Sequence, residues 1–238
     1  MASLLYISVR PELAAADAEY ASFRRGLGAD ELDRLDLMAT PLDAGALDAH
    51  RGIVIGGSPL NVTDPAPTAQ QRRVEADLER IAAAAIDGRA AALFTCYGIG
   101  VVTRMLGGTV TLDHPESTAA VKIRATAAAQ HDPVFGPSGP ELTVFTAHKE
   151  SAAETPPTAE LLAMGDACPV QAYRVGTHLY ATQFHPEPSP ADFAERMTFY
   201  RTKGYFDANA FDAVQQRVLA STVTEGEALL SRFAAAFA

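Results

Sequence analysis

The sequence is short of three things: positive charge, cysteine and long apolar runs. Lys and Arg number 19 against 29 Asp and Glu, which leaves a net charge of −10. A phosphate backbone is gripped by clustered Lys and Arg, so nucleic acid is not an expected partner, and the acidic excess reads as a solvated surface. The two cysteines, Cys96 and Cys168, lie far apart. Two thiols do not make the disulfide framework of a small secreted protein. No signal-like or membrane-length apolar segment is visible, so no membrane partner is expected and the expected location is cytoplasmic. Internal repeats, low-complexity tracts and flexible linkers are also missing, and nothing in the composition calls for a metal or cofactor.

What is present is a chain of 238 residues, 48% hydrophobic, long enough for one large domain with a sizeable core. Its organising stretch is Ala90-Ala91-Ala92-Leu93-Phe94-Thr95-Cys96-Tyr97-Gly98-Ile99-Gly100. The apolar run predicts a buried strand, and Ile99, Val102 and Leu106, closed by Gly107-Gly108, predict a helix. Cys96 therefore falls at a strand-to-helix turn, where the first helix amides face whatever is bound and favour a developing negative charge.

Upstream, Leu4 to Val9 predicts a strand, and Ala16, Tyr20, Phe23 and Leu27 predict a helix that stops at Gly28. A short strand at Leu35 to Met38 is followed by the strand Gly52-Ile53-Val54-Ile55, which runs into Gly56-Gly57-Ser58-Pro59. Thr68 with Gln71 has capping-box spacing, and Val74, Leu78, Ile81 and Ala85 form the apolar stripe of the next helix. Such alternation predicts parallel βαβ units, whose ligand sites lie at the carboxyl ends of the strands. Both glycine-rich turns are at such ends.

From Thr109 the pattern changes. Val121 to Arg124 and Leu142 to Phe145 predict added strands around the Pro- and Gly-containing stretch His131 to Pro140. Val170 to Val175 and His178 to Phe184 flank Gly176-Thr177 with the spacing of a tight hairpin, whose second strand leads to His185-Pro186-Glu187. Residues 191–238 then show helical spacing at Phe193, Met197 and Tyr200, at Phe211, Val214 and Val218, and at Leu229, Leu230 and Phe233. Thr224 with Glu227 could box the last helix. Residues 1–190 thus form an α/β domain, mostly parallel with flanking helices, and 191–238 a helical extension packed on it.

His185 and Glu187 are two apart, so extended backbone points both to one side, and Pro186 biases His185 toward that backbone. A histidine beside a cysteine takes its proton, and a carboxylate orients the imidazole. Cys96, His185 and Glu187 are the candidate triad. Taken singly each has a bland alternative, since a cysteine is often a small buried hydrophobe and a glycine pair an ordinary turn. Cys168 before Pro169 reads as structural, and His148 with Glu150 as a polar loop that either meets solvent or touches substrate.

Cys96-Tyr97-Gly98, Gly56-Gly57-Ser58-Pro59 and Thr182-Gln183-Phe184-His185-Pro186-Glu187 together resemble the class I glutamine amidotransferases, particularly the amidotransferase domain of GMP synthetase. The resemblance spans roughly Met1 to Pro190 and implies a flavodoxin-like sheet. It implies that Cys96 attacks the glutamine side-chain amide, with His185 as base and acid, Glu187 as its orienting carboxylate and the amides of Gly57 and Tyr97 as oxyanion donors. Gly56, Gly57, Tyr97 and His148 would line the substrate site. Two places depart from the family pattern: Phe94 stands where glycine is usual, and Ile99-Gly100 stand where His or Met and then a substrate-holding Gln are usual. The implied partner is L-glutamine or another γ-glutamyl substrate, with a separate ammonia-accepting synthetase or release to solvent. The alternatives are a γ-glutamyl peptide or amide hydrolase and a non-catalytic regulatory module of the same fold.

Overall fold

Apolar runs too short for helices alternate with amphipathic stripes in the first half of the chain, and each becomes the element its period requires. In the computed structural model, which describes residues 3–223 and 225–238, β1 (Leu4–Ser8) leads through α1 (Leu13–Gly26) to β2 (Asp33–Asp36). A short α2 (Ala44–Ala49) precedes β3 (Gly52–Ile55). Then α3 (Ala69–Ile86) leads to β4 (Ala91–Thr95), and α4 (Tyr97–Met105) follows directly. β1, β3 and β4 are buried at every residue, as central parallel strands covered on both faces must be. The predicted box on α3 is half formed. The Thr68 hydroxyl accepts from the Gln71 amide at 3.1 Å, but the Gln71 side chain donates instead to the Asn61 carbonyl and to Glu75.

The second half adds β5 (Val110–Thr111), β6 (Glu116–Ala125), β7 (Glu141–His148), β8 (Ser151–Ala152), β9 (Glu160–Met164), β10 (Ala172–Val175) and β11 (Leu179–Thr182). The main sheet has nine strands in the order β2-β1-β3-β4-β11-β10-β9-β6-β7. From β2 to β11 the neighbours are parallel, and from β11 to β7 they are antiparallel. β11 is last in sequence but central in space. It pairs with β4 so that Thr182 lies opposite Thr95, which brings the carboxyl ends of the two strands, and hence Cys96 and His185, side by side.

β2 lies two residues before its expected place at Leu35 to Met38, and the last hairpin differs from the pattern-based expectation at its turn and at its end. The hairpin loop holds three residues, 176–178, because Val175 pairs with Leu179. β11 ends at Thr182: the Gln183 amide still meets the Gln171 carbonyl in register with β10, but the His185 amide turns to that of Phe145 in β7, each at 2.8 Å.

The C-terminal helices are α5 (Pro190–Phe199), α6 (Phe211–Leu219) and α7 (Glu225–Phe237). α5 opens in a full capping box between Ser189 and Asp192. Phe193 and Met197 of α5 pack with Phe211, Val214 and Val218 of α6 over Phe145 of β7. α7 buries Leu229, Leu230 and Phe233 in one cluster with Phe23, Val54 and Leu93. These helices share the core of residues 1–190. The expected box at Thr224 lies outside the described residues.

Candidate active site

Cys96 is the one non-glycine residue at positive φ among the described residues, at φ 51° and ψ −102°. Such backbone costs an L-residue about 1–3 kcal/mol and is held only where its surroundings over-determine it. Here the Cys96 amide donates to the Thr182 carbonyl of β11 at 2.8 Å, and α4 begins at the next residue. The turn therefore lifts the thiol above the sheet at the head of a helix. Phe94, unusual at its place, is fully buried beneath this turn. Gly98 makes the room, since a Cβ there would stand 2.9 Å from that of Phe94.

His185 Nδ1 lies 3.0 Å from Glu187 Oε1. A carboxylate only accepts, so the proton sits on Nδ1 and Nε2 is left for the Cys96 thiol, which lines the same cavity. Burial opposes a charge on His185, but Glu187 and then Cys96 outweigh it and raise its pKa to about 9. Burial also opposes the Glu187 carboxylate, yet His185 and Arg196 hold it well below the usual carboxylate range. Arg196 of α5 donates to Glu187 Oε1 at 2.7 Å. Behind it, Glu19 of α1 accepts from Arg10 at 2.6 Å and from Tyr6 at 2.8 Å, while Arg10 also donates to the Tyr200 hydroxyl at 3.0 Å.

The glycine pair is explained by the same crowding. A Cβ on Gly56 would lie 2.0 Å from Glu19 Oε2, and one on Gly57 would lie 2.6 Å from His185 Cε1. The Gly57 amide donates to Glu19 Oε1 at 3.2 Å, so it is already engaged. The Tyr97 amide is at the first position of α4, where no intrahelical acceptor exists. The Tyr97 hydroxyl donates to Glu75 at 2.7 Å.

His148 does not contact the triad directly. Its Nδ1 meets the Glu150 carbonyl at 3.0 Å and its Nε2 meets Glu116 Oε2 at 2.8 Å, while Gln171 donates to the same oxygen. Both ring nitrogens of His148 are therefore engaged, one by a backbone carbonyl and one by a carboxylate. The Cys168 thiol is within 4.8 Å of both groups, and burial, then Glu116, push its pKa up to about 11. Three potential metal-ligating groups are thus close, but Glu116 is already bonded to His148 and Gln171, and the Cys168 thiol lies 3.5 Å from the Val170 carbonyl.

Gly100, where a longer polar residue is usual, faces filled space: a Cβ there would stand 3.0 Å from Val62 and 3.5 Å from Glu150 Oε1. The Glu150 carboxylate accepts from the amides of Val62 and Thr63 at 2.7 and 3.0 Å, pinning that loop over α4. Two cavities meet at Cys96. One holds His185, Arg10, Arg196 and aromatic rings, and the other holds Asn61, Tyr97, His148, Lys149, Glu150 and Gln183.

Arg10, Glu19 and Arg196 were not anticipated from sequence. One signal was available. Glu19 lies in the Ala16, Tyr20, Phe23 stripe and Arg196 beside Phe193 and Met197, and a charge on a buried helix face needs a buried partner.

Comparison with known proteins places this geometry. A model of the class I glutamine amidotransferase family matches residues 32–203. The chain is 29% identical over 147 residues to a GMP synthase (glutamine-hydrolyzing) of Paraburkholderia phytofirmans, covering 58% of this chain and 25% of that protein. It is also 29% identical over 112 residues to a GMP synthase (glutamine-hydrolyzing) subunit of Methanococcus vannielii, covering 47% and 58%. It therefore spans about a quarter of the full-length synthase and somewhat over half of the separate subunit. A solved glutamine amidotransferase of Thermotoga maritima shares the fold with a TM-score of 0.71 at 15% identity, covering 98% of this chain and 99% of that one. The strained cysteine turn, the His-Pro-Glu segment beside it and the match over most of the chain have one reading: the protein belongs to the class I glutamine amidotransferase family.

Proposed function

We propose that the protein hydrolyses the side-chain amide of L-glutamine through a thioester on Cys96 and supplies the ammonia to a separate synthetase. The observation that carries this is the His185–Glu187 pair at 3.0 Å, set against a cysteine held in a strained turn at a helix start. His185 takes the thiol proton, sulfur attacks the amide carbon, and the same proton passes to the leaving nitrogen. Glu187, itself gripped by Arg196, keeps the proton on Nδ1 and supports the imidazolium. The Tyr97 amide faces the developing oxyanion, and the Gly57 amide joins it on exchanging its bond to Glu19. Water then cleaves the thioester.

The polar cavity suits the amino-acid end of the substrate. Gln183 Oε1 is buried without a partner and is suited to accept from an ammonium, and Lys149 supplies charge for a carboxylate. His148 lines this cavity, and Gly56 leaves room for Glu19, which holds the Gly57 amide. The separate acceptor is inferred from the relatives in which the glutamine-hydrolyzing GMP synthase is named as a subunit.

The test is ammonia release from L-glutamine by the purified protein, beside Cys96→Ala. The substitution should remove release by at least about 10⁴-fold. Equal release by both proteins would overturn the proposal, as would a Cys96 that a glutamine-like electrophile fails to label.

A further inference from the structure

Of the two cavities at Cys96, the one on the His185 side is where a leaving amine must depart, because His185 supplies its proton. It is lined by Arg10, Phe193, Arg196, Tyr200, Tyr205 and Phe206. Ammonia needs neither aromatic walls nor guanidinium groups. Arg10 and Arg196 are 4% and 5% exposed, and the Nε of each is buried with no partner. A buried donor left unpaired costs about 1–3 kcal/mol, and the cavity lined by these two guanidinium groups has no carboxylate of the described residues in its wall.

The outer wall is built by the turn after α5. The family match ends at residue 203, so Tyr205 and Phe206 lie just past it. The Tyr205 carbonyl accepts from the Thr118 amide at 3.1 Å and the Ser117 hydroxyl at 2.9 Å, and its ring lies under Lys149 Nζ at 5.2 Å. Counted as space for the centres of water-sized molecules, the inner cavity offers about 30 Å³, and the neighbouring outer cavity, which shares Tyr205 and Phe206, about 540 Å³. The inner space suits an amine with one small polar group, since a single water takes roughly 10–15 Å³ on this measure. A longer side chain would continue past the two rings.

We propose that this cavity is a leaving-group site for γ-glutamyl dipeptides whose second residue is an apolar or aromatic amino acid. Its carboxylate accepts from Arg10 and Arg196, and its side chain runs along Tyr205 and Phe206. The inference rests on the thioester reading of Cys96. Sulfur takes the γ-glutamyl acyl group as the C–N bond breaks, and the amine takes the proton from His185. Water then adds to the thioester, giving glutamate and restoring the thiol.

The experiment compares L-glutamine, γ-glutamylphenylalanine, γ-glutamylglycine and γ-glutamylphenethylamine, the last lacking only the carboxylate of the phenylalanine dipeptide. kcat/KM for γ-glutamylphenylalanine should exceed that for γ-glutamylphenethylamine by at least about tenfold, the range expected when a buried polar site loses its partner. In Phe206→Ala the ratio of γ-glutamylphenylalanine to γ-glutamylglycine should fall by roughly tenfold, the scale of a lost apolar wall. Turnover of glutamine alone, or equal turnover with and without the carboxylate, would overturn the leaving-group site and leave the thioester reading standing. No turnover of any substrate would overturn the site too, and labelling of Cys96 by a glutamine-like electrophile would then show whether the thioester reading survives.

Discussion

Cys96 at φ 51° holds a conformation that glycine adopts freely, so Cys96→Gly should unfold at higher temperature than Cys96→Ala, although alanine is normally the more stabilising residue. The difference should be on the order of 1 kcal/mol in denaturant titration, with both proteins inactive. His185 gives a second prediction. Its pKa is raised from 6.5 to about 9, so its contribution to stability is fully present below pH 6.5 and is lost as the pH rises through 9. The melting temperature of the native protein should therefore fall from neutral pH to beyond pH 9 more steeply than that of His185→Gln. With glutamine as substrate, Arg196 acts in the proposed mechanism as a positioning residue: Arg196→Gln removes the 2.7 Å bond to Glu187 and should lower kcat for glutamine by roughly 10- to 100-fold with little change in its KM. It should also shift the acid limb of the pH profile upward, because Glu187 loses one of the two cations that hold its carboxylate ionised.

At the scale of elements, β4 and β11 set the distance between Cys96 and His185, and α5 and α7 buttress the second strand's exit. α7 meets the His-Pro-Glu segment through Gly226, where a Cβ would come within 2.4 Å of the Pro186 carbonyl oxygen. Gly226→Ala should therefore cost about 1–3 kcal/mol by overpacking, and activity should fall with it because Pro186 joins His185 to Glu187. Calorimetry and ammonia release on the same preparation check both halves. β1, β3, β4 and α3 were legible from sequence because each buries a continuous run or a clean stripe. β9 was not: Glu160-Leu161-Leu162-Ala163-Met164 is rich in helix formers and is a strand because β6 and β10 each offer it an edge. The hairpin loop is one residue longer than its glycine suggested, since turn residues mark a turn better than they count it.

For the whole molecule, α5, α6 and α7 each bury side chains in clusters shared with the sheet. Leu229, Leu230 and Phe233 are fully buried, and at about 1.5–3 kcal/mol for each side chain their removal costs an amount comparable with the net stability of a domain. A chain ended before α7 should lose its cooperative thermal transition or become insoluble. A truncation that melts like the full chain would show that the helix is dispensable. No helix among the described residues is long and apolar enough to cross a membrane. Phe94, which stands where the family usually has glycine, packs beneath Gly98 and leaves the cysteine turn in its strained geometry.

Local order carried the sequence reading. The apolar run before Cys96, the two-residue spacing of His185 and Glu187, and the stripes of α1 and α3 are properties of neighbouring residues, and neighbours dictate period, turn and facing direction. What lay beyond reach was every pairing made across the fold. Glu19 meeting Arg10 and the Gly57 amide, Arg196 closing on Glu187, Glu116 taking His148, and Tyr205 walling the site join residues from separate elements. Such partners are selected by which buried charges the closed sheet brings within about 3 Å, because an unpaired buried charge is too costly to leave. That selection is made only when β11 enters between β4 and β10 and the C-terminal helices cover the result.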